Sequence, residues 1–122
     1  MSGISLLDAI SNLITLHHLS QYQATRIKEY FSHIKIGEYV YAGIIQSRLN
    51  ISIDDAYFIL EELKKQGFLV HWYEVYCHNC NRSTGVFLDT PRKFNPDQCC
   101  SYCDSQMSIG ENLIVLYKVV KL

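Results

Sequence analysis

The sequence predicts an α+β protein in which N-terminal helices are followed by a small unit of β-strands. Three observations lead to this prediction. Apolar residues recur at helical spacing up to Gln66, apolar and polar residues alternate in the segments that follow, and two Cys-x2-Cys pairs lie among those segments. The chain has 122 residues, of which 48% are apolar and 19% charged, as is typical of a globular protein with one ordinary domain or two small ones.

Three helices are predicted before residue 51. The first helix begins at the N-terminus and ends near His18. Ser20 and Gln23 have the spacing of a capping box, which begins a second helix that runs to about His33. After a turn and a short extended piece in KIGEYVYA, the segment AGIIQSRLN predicts a compact third helix. The residues expected to face the interior are Leu6, Ile10, Leu13, Ile14 and His17 in the first helix, Ile27, Tyr30, Phe31 and Ile34 in the second, and Ile44, Ile45 and Leu49 in the third.

A fourth helix and several strands complete the prediction. Ser52 and Asp55 repeat the capping-box spacing, and the helix runs from about Ile53 to Gln66, where Gly67 ends it. Beyond it, FLVHWYEVYC, TGVFLDT and NLIVLYKVV predict strands, and PRKFNPDQ, which contains both prolines, predicts a loop. The expected buried stripe of the fourth helix is Ala56, Ile59, Leu60 and Leu63.

Four of the five cysteines have the spacing of a metal site. They form two Cys-x2-Cys pairs with nineteen residues between them: Cys77, Cys80, Cys100 and Cys103. A tight turn with thiolates at its first and fourth positions brings two sulfurs to one ion, and two such turns complete a tetrahedron. Asn81 and Asp104, which follow the pairs, tolerate the left-handed backbone conformation that such a turn often needs.

These pairs, with strands on both sides of each, resemble a zinc ribbon over residues 75 to about 120. We expect a structural Zn²⁺, because four thiolates close the coordination shell that a catalytic zinc keeps open for water. Iron in a rubredoxin-like site uses the same four ligands, so the sequence does not decide between zinc and iron. Cys99 is expected to be a bystander thiol, with an alternative ligand pairing or a reactive thiol as the other interpretations. His78 is expected to be a solvent-facing turn residue.

Residues 20–76 resemble a winged helix-turn-helix domain: helix, short strand, helix AGIIQSRLN, turn, helix SIDDAYFILEELKKQGFLV, and a strand that would begin the wing. Many proteins of this family lay that last helix, the recognition helix, in the major groove of DNA. Carboxylates there weaken binding to a polyanion, whereas exposed aromatic rings suit a protein partner. Burial of both rings in the core is the alternative. The first two turns carry Asp54, Asp55, Tyr57 and Phe58, which we predict to bind a partner.

The charge distribution gives little support to nucleic-acid binding. The net charge is −1, and no basic stripe is present in the sequence. Arg82, Arg92 and Lys93 are the candidate contacts with a phosphate backbone or an acidic partner, and a solvated loop is the alternative. The sequence contains no glycine-rich phosphate loop, no HExxH and no nucleophile elbow, so we expect the protein not to be an enzyme.

A winged helix followed by a zinc ribbon resembles the architecture of archaeal transcription factor E and the alpha subunit of its eukaryotic counterpart. In that family both parts serve mainly as docking surfaces on a larger machine. The resemblance implies a non-enzymatic adaptor or accessory subunit that docks on a protein partner within a nucleic-acid-handling complex. The alternative function is that of a DNA-binding transcriptional regulator, a homodimer that forms through the first helix.

The predicted organisation has three parts: an N-terminal amphipathic helix at 1–19, a winged helix-turn-helix domain at 20–76, and a zinc ribbon with a C-terminal strand at 77–122. The N-terminal stretch lacks a basic segment and carries Asp8 among its apolar residues. It therefore predicts neither a signal peptide nor a membrane span. We expect a cytoplasmic protein, in which reducing conditions favour metal binding by cysteines over disulfides.

Overall fold

The structure is a computed structural model that describes residues 3–122. It confirms the predicted α+β class, since the described residues form five α-helices, four strands and a cluster of four cysteines. None of these helices is long and apolar enough to cross a membrane. In chain order the elements are α1 (Leu6–Leu16), α2 (Gln21–Ser32), β1 (Tyr39–Val40), α3 (Ala42–Leu49), α4 (Ile53–Lys65), β2 (Leu69–Cys77), β3 (Arg82–Leu88), a 3₁₀-helix (Pro91–Lys93), α5 (Ile109–Asn112) and β4 (Leu113–Val119).

The chain divides into two compact units. Residues 3–70 together with Tyr117–Leu122 form the first, called here the helical unit, and His71–Leu116 form the second, the cysteine unit. The strand order in the sheet is β1-β4-β2-β3. The sequence predicted three parts instead, with boundaries after residues 19 and 76. That division remains a prediction, because these two units do not test it. Residues 1 and 2 of the predicted first helix lie outside the described residues, and the helix itself begins at Leu6.

The helical unit has one apolar core, to which α1, α2, α3 and α4 all contribute. Most of the residues that were predicted to face inward are buried in it. Ile14 and Tyr30 are partly buried and pack against the core. The fully or nearly fully buried members from the four helices are Leu6, Ala9, Ile10, Leu13, Ile27, Phe31, Ala42, Ile45, Leu49, Ala56, Ile59, Leu60 and Leu63.

Ile44 does not face inward as predicted, and 41% of its surface is exposed. Successive residues of an α-helix are about 100° apart around its axis, so when one of two adjacent isoleucines lies at the centre of the buried face, the other lies at its edge or outside it. Ile45 and Leu49, four residues apart, take the buried face of α3. Ile44 is left on the surface beside them.

The ends of the helices follow the local sequence signals. At α2, the Gln23 amide N–H donates to Ser20 Oγ and the Ser20 amide N–H donates to Gln23 Oε1, which confirms the predicted capping box. At α4, Ser52 Oγ accepts from the Asp55 amide N–H at 3.1 Å. Gly67 ends α4 with φ of +87°, the left-handed conformation that glycine adopts without a steric penalty.

The C-terminal strand β4 completes the helical unit. β1 pairs antiparallel with β4, Val40 lying opposite Tyr117. Tyr117 and Val119 are buried in the core of this unit, and the Tyr117 hydroxyl donates a hydrogen bond of 2.5 Å to Glu61 on α4. The end of the strand that sequence reasoning assigned to the zinc ribbon therefore packs with the helices, because its alternate apolar side chains fill their core.

The cysteine unit is built on the antiparallel pair of β2 and β3. The register changes between Glu74 and Tyr76, and at this irregularity the Thr84 hydroxyl donates to the main-chain oxygen of Val75 at 2.9 Å. Gly85 has φ of +80°, which allows the extra residues of β3 to bulge. The buried cluster of this unit is small and includes two of the cysteines: Val75, Cys77, Phe94, Cys100 and Met107.

Candidate metal centre

The structure brings together the four cysteines that the sequence paired. Their sulfur atoms all lie within 4.8 Å of one another. The Sγ atoms of Cys77 and Cys103 are 3.6 Å apart, and those of Cys80 and Cys100 are 3.7 Å apart. All four are free thiols. Each short distance joins one pair to the other, so the two turns face each other across a common centre.

These sulfur positions fit a tetrahedral metal ion. With metal–sulfur bonds of about 2.3 Å, the sulfurs of a regular tetrahedron are about 3.8 Å apart. The Cys77–Cys103 and Cys80–Cys100 distances, 3.6 and 3.7 Å, agree with that edge. Four thiolates would complete the shell of such an ion and leave no position for a reacting water.

The backbone of both cysteine turns has the predicted conformation. Asn81 has φ of 55° and Asp104 has φ of 59°, so the residue after each pair is left-handed. In the second turn the Tyr102 amide N–H donates to Cys100 Sγ at 3.4 Å. Asn and Asp adopt this conformation more readily than other residues with a side chain, which is why the sequence could indicate these two positions.

Polar groups around Cys103 form a second layer that sequence reasoning missed. Asn79 Nδ2 lies 3.5 Å from Cys103 Sγ and 2.7 Å from Ser105 Oγ. Ser105 Oγ is itself 3.1 Å from the same sulfur. Asn79 belongs to the first turn and Cys103 to the second, so the amide links the two turns. No spacing rule predicts that an asparagine will donate a hydrogen bond to a cysteine sulfur. The one signal in the sequence is that Asn79 lies between Cys77 and Cys80.

The surroundings of the sulfurs change the acidity of the thiols in opposite directions. Hydrogen bonds from Asn79 and then from Ser105 lower the pKa of Cys103 to about 6. Loss of hydration, followed by sulfur contacts with the other three cysteines, raises the pKa of Cys80 to about 12. Four negative charges so close together repel one another, and a divalent cation among them reverses this penalty. The donor set therefore favours a bound cation.

A buried amide also fixes the strand that leads into the first cysteine turn. Asn112 is 8% exposed, and its Nδ2 donates to the main-chain oxygen of Tyr76 at 2.9 Å. Its Oδ1 accepts from the Ser108 amide N–H at 2.9 Å. This side chain thereby ties α5 to the residue immediately before Cys77.

Cys99 and His78 lie outside the cluster. Cys99 is exposed, and its Sγ lies 3.9 Å from Gln106 Oε1. The sulfur that joins the cluster in this turn is that of Cys100. His78 is exposed in the turn, as predicted, and its ring lies 5.1 Å from that of Tyr76.

The predicted partner-binding residues lie on the first two turns of α4. Asp54 and Asp55 are exposed in the first turn. Tyr57 is 37% exposed and Phe58 is 49% exposed, so the interpretation in which both rings are core residues is not supported. The Phe58 ring makes an edge contact with the ring of His17, with 4.6 Å between the centroids.

The three predicted nucleic-acid contacts have different surroundings. The Arg82 guanidinium lies over the ring of Tyr102, 4.9 Å from its centroid. Lys93 Nζ forms an ion pair with Asp89 Oδ1 at 3.0 Å, and this lysine lowers the pKa of the Asp89 carboxyl. Arg92 is exposed on the 3₁₀-helix. The contacts of Arg82, Arg92 and Lys93 do not by themselves show what these residues bind. The same holds for the four exposed residues of α4.

Searches of protein-family models, curated proteins and solved structures find no match for this chain. The resemblances to a winged helix, to a zinc ribbon and to transcription factor E therefore rest on the sequence patterns that suggested them.

Proposed function

We propose that the protein is a non-enzymatic adaptor or accessory subunit, stabilised by a structural Zn²⁺, that docks on a protein partner through the exposed face of α4. We place this docking within a nucleic-acid-handling complex, as the resemblance to transcription factor E implies. The observation that carries the proposal is the exposure of Tyr57 and Phe58 beside Asp54 and Asp55.

The metal is proposed to be zinc with a structural role. Cys77, Cys80, Cys100 and Cys103 would hold it. Structural zinc contributes on the order of 10 kcal/mol to the folding of small domains that cannot bury enough apolar surface alone. The small buried cluster of the cysteine unit is consistent with that need. Metal analysis of the purified protein distinguishes the two metals, because a zinc tetrathiolate is colourless and an iron tetrathiolate absorbs visible light.

A winged-helix arrangement is proposed for the helical unit. From α2 onward its element order is helix, strand, helix, helix and strand, as in that family, and α1 precedes this order. The strand order β1-β4-β2 supports the proposal, since β4 returns between the two earlier strands. In chain order Cys77 is the last residue of β2 and the other three cysteines lie between β2 and β4, where the tip of the wing is expected.

The α4 face favours a protein partner over DNA. Exposed aromatic rings are enriched at the centres of protein interfaces, where they bury much surface at little entropic cost. The contact with His17 orients the Phe58 ring before binding. Asp54 and Asp55 stabilise the positive end of the helix by roughly 0.3–1 kcal/mol. They would repel the phosphates of a DNA groove, so a partner with basic groups around an apolar pocket fits this face better.

The alternative, a DNA-binding regulator, has weaker support. Of its three proposed cationic contacts, Lys93 is paired with Asp89 and Arg82 lies against Tyr102. A homodimer through α1 would have to use Leu7 and Leu16, which are exposed, because the opposite face of α1 is buried within its own unit.

Affinity capture with the tagged 122-residue chain tests the adaptor function. Phe58→Ala and Tyr57→Ala should each abolish co-purification of the partner while far-UV circular dichroism and metal content stay unchanged. Tyr22→Ala is the matched control, since Tyr22, on α2, is another exposed aromatic ring of the same unit, 62% exposed. It should retain the partner.

Two results would contradict the proposal. One is retention of the same partner by both α4 variants. The other is binding of duplex DNA by the isolated protein that weakens steeply with salt and is lost on Arg92→Ala or Lys93→Ala. That second result would favour the regulator.

A further inference from the structure

The cysteine unit contains an apolar groove that the proposed function does not use. Its volume is about 620 Å³, within the range of about 300–1,000 Å³ typical of ligand pockets. Both prolines of the chain line it. The lining residues on which the proposal rests are Pro91, Arg92, Phe94, Pro96, Met107 and Ile109.

The apolar lining of the groove belongs to the packed part of the unit. Phe94 is 6% exposed and Met107 is 1% exposed, and both belong to the small buried cluster around the cysteines. Ile109, 53% exposed, adds an apolar side chain that is open to solvent. An apolar side chain inserted here would therefore contact a preformed surface.

The loop that carries the prolines is held by local hydrogen bonds. Thr90 Oγ1 accepts from the Arg92 amide N–H at 3.4 Å. Asn95 Oδ1 accepts from the Asp97 amide N–H at 3.0 Å, and the Met107 amide N–H donates to the Gln98 main-chain oxygen at 3.2 Å. Because proline also restricts the backbone, little conformational entropy remains to be lost when a ligand binds.

The groove has one unneutralised cation. Arg92 lines it and is exposed, and within residues 3–122 its guanidinium has no hydrogen-bonding or ionic partner. The neighbouring Lys93 differs on both points, since it pairs with Asp89 at 3.0 Å and does not line the groove. A ligand with a carboxylate next to an apolar group would match this arrangement, because guanidinium binds carboxylate in a planar, two-bond geometry.

We propose that this groove binds an acidic–apolar peptide segment of a protein partner. One large apolar side chain of the segment occupies the space over Phe94 and Met107, and the carboxylate of an adjacent Asp or Glu pairs with Arg92. A nucleic acid fits less well, because a polyanion gains most from several free cations, whereas this groove offers one cation and a mainly apolar lining. The groove shares no residue with the α4 face, and the proposal does not depend on that face.

Nuclear magnetic resonance titration of the ¹⁵N-labelled, zinc-loaded 122-residue chain tests the proposal. The probe is a seven-residue peptide with a central phenylalanine between glutamates. Two matched peptides replace the glutamates by lysines or the phenylalanine by alanine. The acidic peptide should shift the amide resonances of Phe94, Met107 and Ile109. Both matched peptides should bind about tenfold more weakly or not at all. The lysine peptide loses the hydrogen bond to a charged group, which contributes roughly that factor or more, and the alanine peptide loses most of the apolar surface that the phenylalanine would bury.

Adjacent substitutions provide the matched protein variants. Arg92→Ala should weaken peptide binding about tenfold through loss of a charge-assisted bond, while Lys93→Ala should leave it within about twofold. Phe58→Ala should not change it, which separates this site from the adaptor face. Metal content and dispersion of the amide resonances establish that each variant is folded.

Three results would overturn the proposal. The first is the absence of shifts in the groove at millimolar concentrations of the acidic peptide. The second is an equal loss of binding in the Arg92→Ala and Lys93→Ala variants. The third is a single-stranded oligonucleotide that shifts the groove resonances at lower concentration than the acidic peptide does.

Discussion

The helical unit and the cysteine unit reach a folded state by different means. The helical unit buries a cluster of nineteen described residues, drawn from four helices and from strand segments that include Val40 and Tyr117. The cysteine unit buries five, two of which are the metal-binding candidates Cys77 and Cys100. Apolar burial scales with the size of the core, so the first unit can be stabilised by packing alone. The buried cluster of the second unit is much smaller, and its four thiols are placed where a bound metal ion would cross-link the two cysteine turns.

The largest expected effect is that of metal removal. A strong chelator, or Cys80→Ser, should unfold residues 71–116, because structural zinc contributes on the order of 10 kcal/mol to such units. Amide resonances of residues 71–116 should lose dispersion while those of the helices in 3–70 keep theirs. Cys99→Ser is the control and should change neither metal content nor dispersion. A cysteine unit that stays folded without metal would contradict the claim that the two units are stabilised by different means.

A core substitution should act on the helical unit irrespective of metal. Ile45→Ala removes a fully buried side chain of α3, and large-to-small changes of this kind cost about 2–5 kcal/mol. Ile44→Ala, one residue away and 41% exposed, should change the free energy of unfolding by about 0.5 kcal/mol or less. Denaturant unfolding followed by circular dichroism measures both. Similar losses in the two variants would contradict the assigned faces of α3.

A smaller effect is expected where β4 contacts α4. Tyr117→Phe removes the hydroxyl that donates to Glu61, and a hydrogen bond to a charged group contributes about 1.5–3 kcal/mol. Burial, and then the Glu61 hydrogen bond, raise the pKa of Tyr117 above its ordinary value.

The raised pKa also predicts a pH dependence. The folded state holds the Tyr117 proton more tightly than the unfolded chain, so this contribution is complete below about pH 10 and is lost as the pH rises beyond that value. Unfolding measured between pH 8 and 11 should show a smaller alkaline loss in Tyr117→Phe than in the unmodified chain. Burial also raises the pKa of Tyr30, so part of the loss should remain. An unchanged alkaline slope would count against this assignment.

The smallest expected effect concerns the second layer of the metal centre. Asn79→Ala should weaken metal binding by about 10- to 100-fold without unfolding the chain, as is common for groups that hydrogen-bond to metal ligands. Competition with a chelator of known affinity measures the change. Asn95→Ala is the control, because the Asn95 side chain bonds to the backbone of its own loop and, among residues 3–122, has no hydrogen bond to a cysteine sulfur. Equal metal affinities in the unmodified chain and in Asn79→Ala would show that the Asn79 hydrogen bond does not contribute to metal binding.

Much of this structure could be predicted because its signals are local. The Ser20 capping box, the end of α4 at Gly67 and the left-handed Asn81 each depend on a few neighbouring residues. The four thiols could be paired because ligand geometry restricts the spacing within each turn. Ile44 was predicted wrongly, since a helical pattern alone does not say which edge of an apolar stripe meets the core.

The features that could not be predicted depend on contacts between distant residues. Asn79 approaches Cys103 only after both turns have formed, and the groove near Arg92 needs the loop of the two prolines to lie beside Met107. The exposure of Phe58 was open in the sequence, because an aromatic residue has the same helical spacing whether a neighbouring element covers it or not.

By itself the sequence determined the α+β class, the approximate limits of the helices and the four-thiol set, since these follow from hydrophobic period, capping chemistry and ligand spacing. Tertiary structure alone decided that Tyr117 and Val119 return to the helical core, that β4 lies between β1 and β2, and that Tyr57 and Phe58 remain accessible. The physical reason is that burial depends on which surfaces meet, and residues far apart in the chain determine that together.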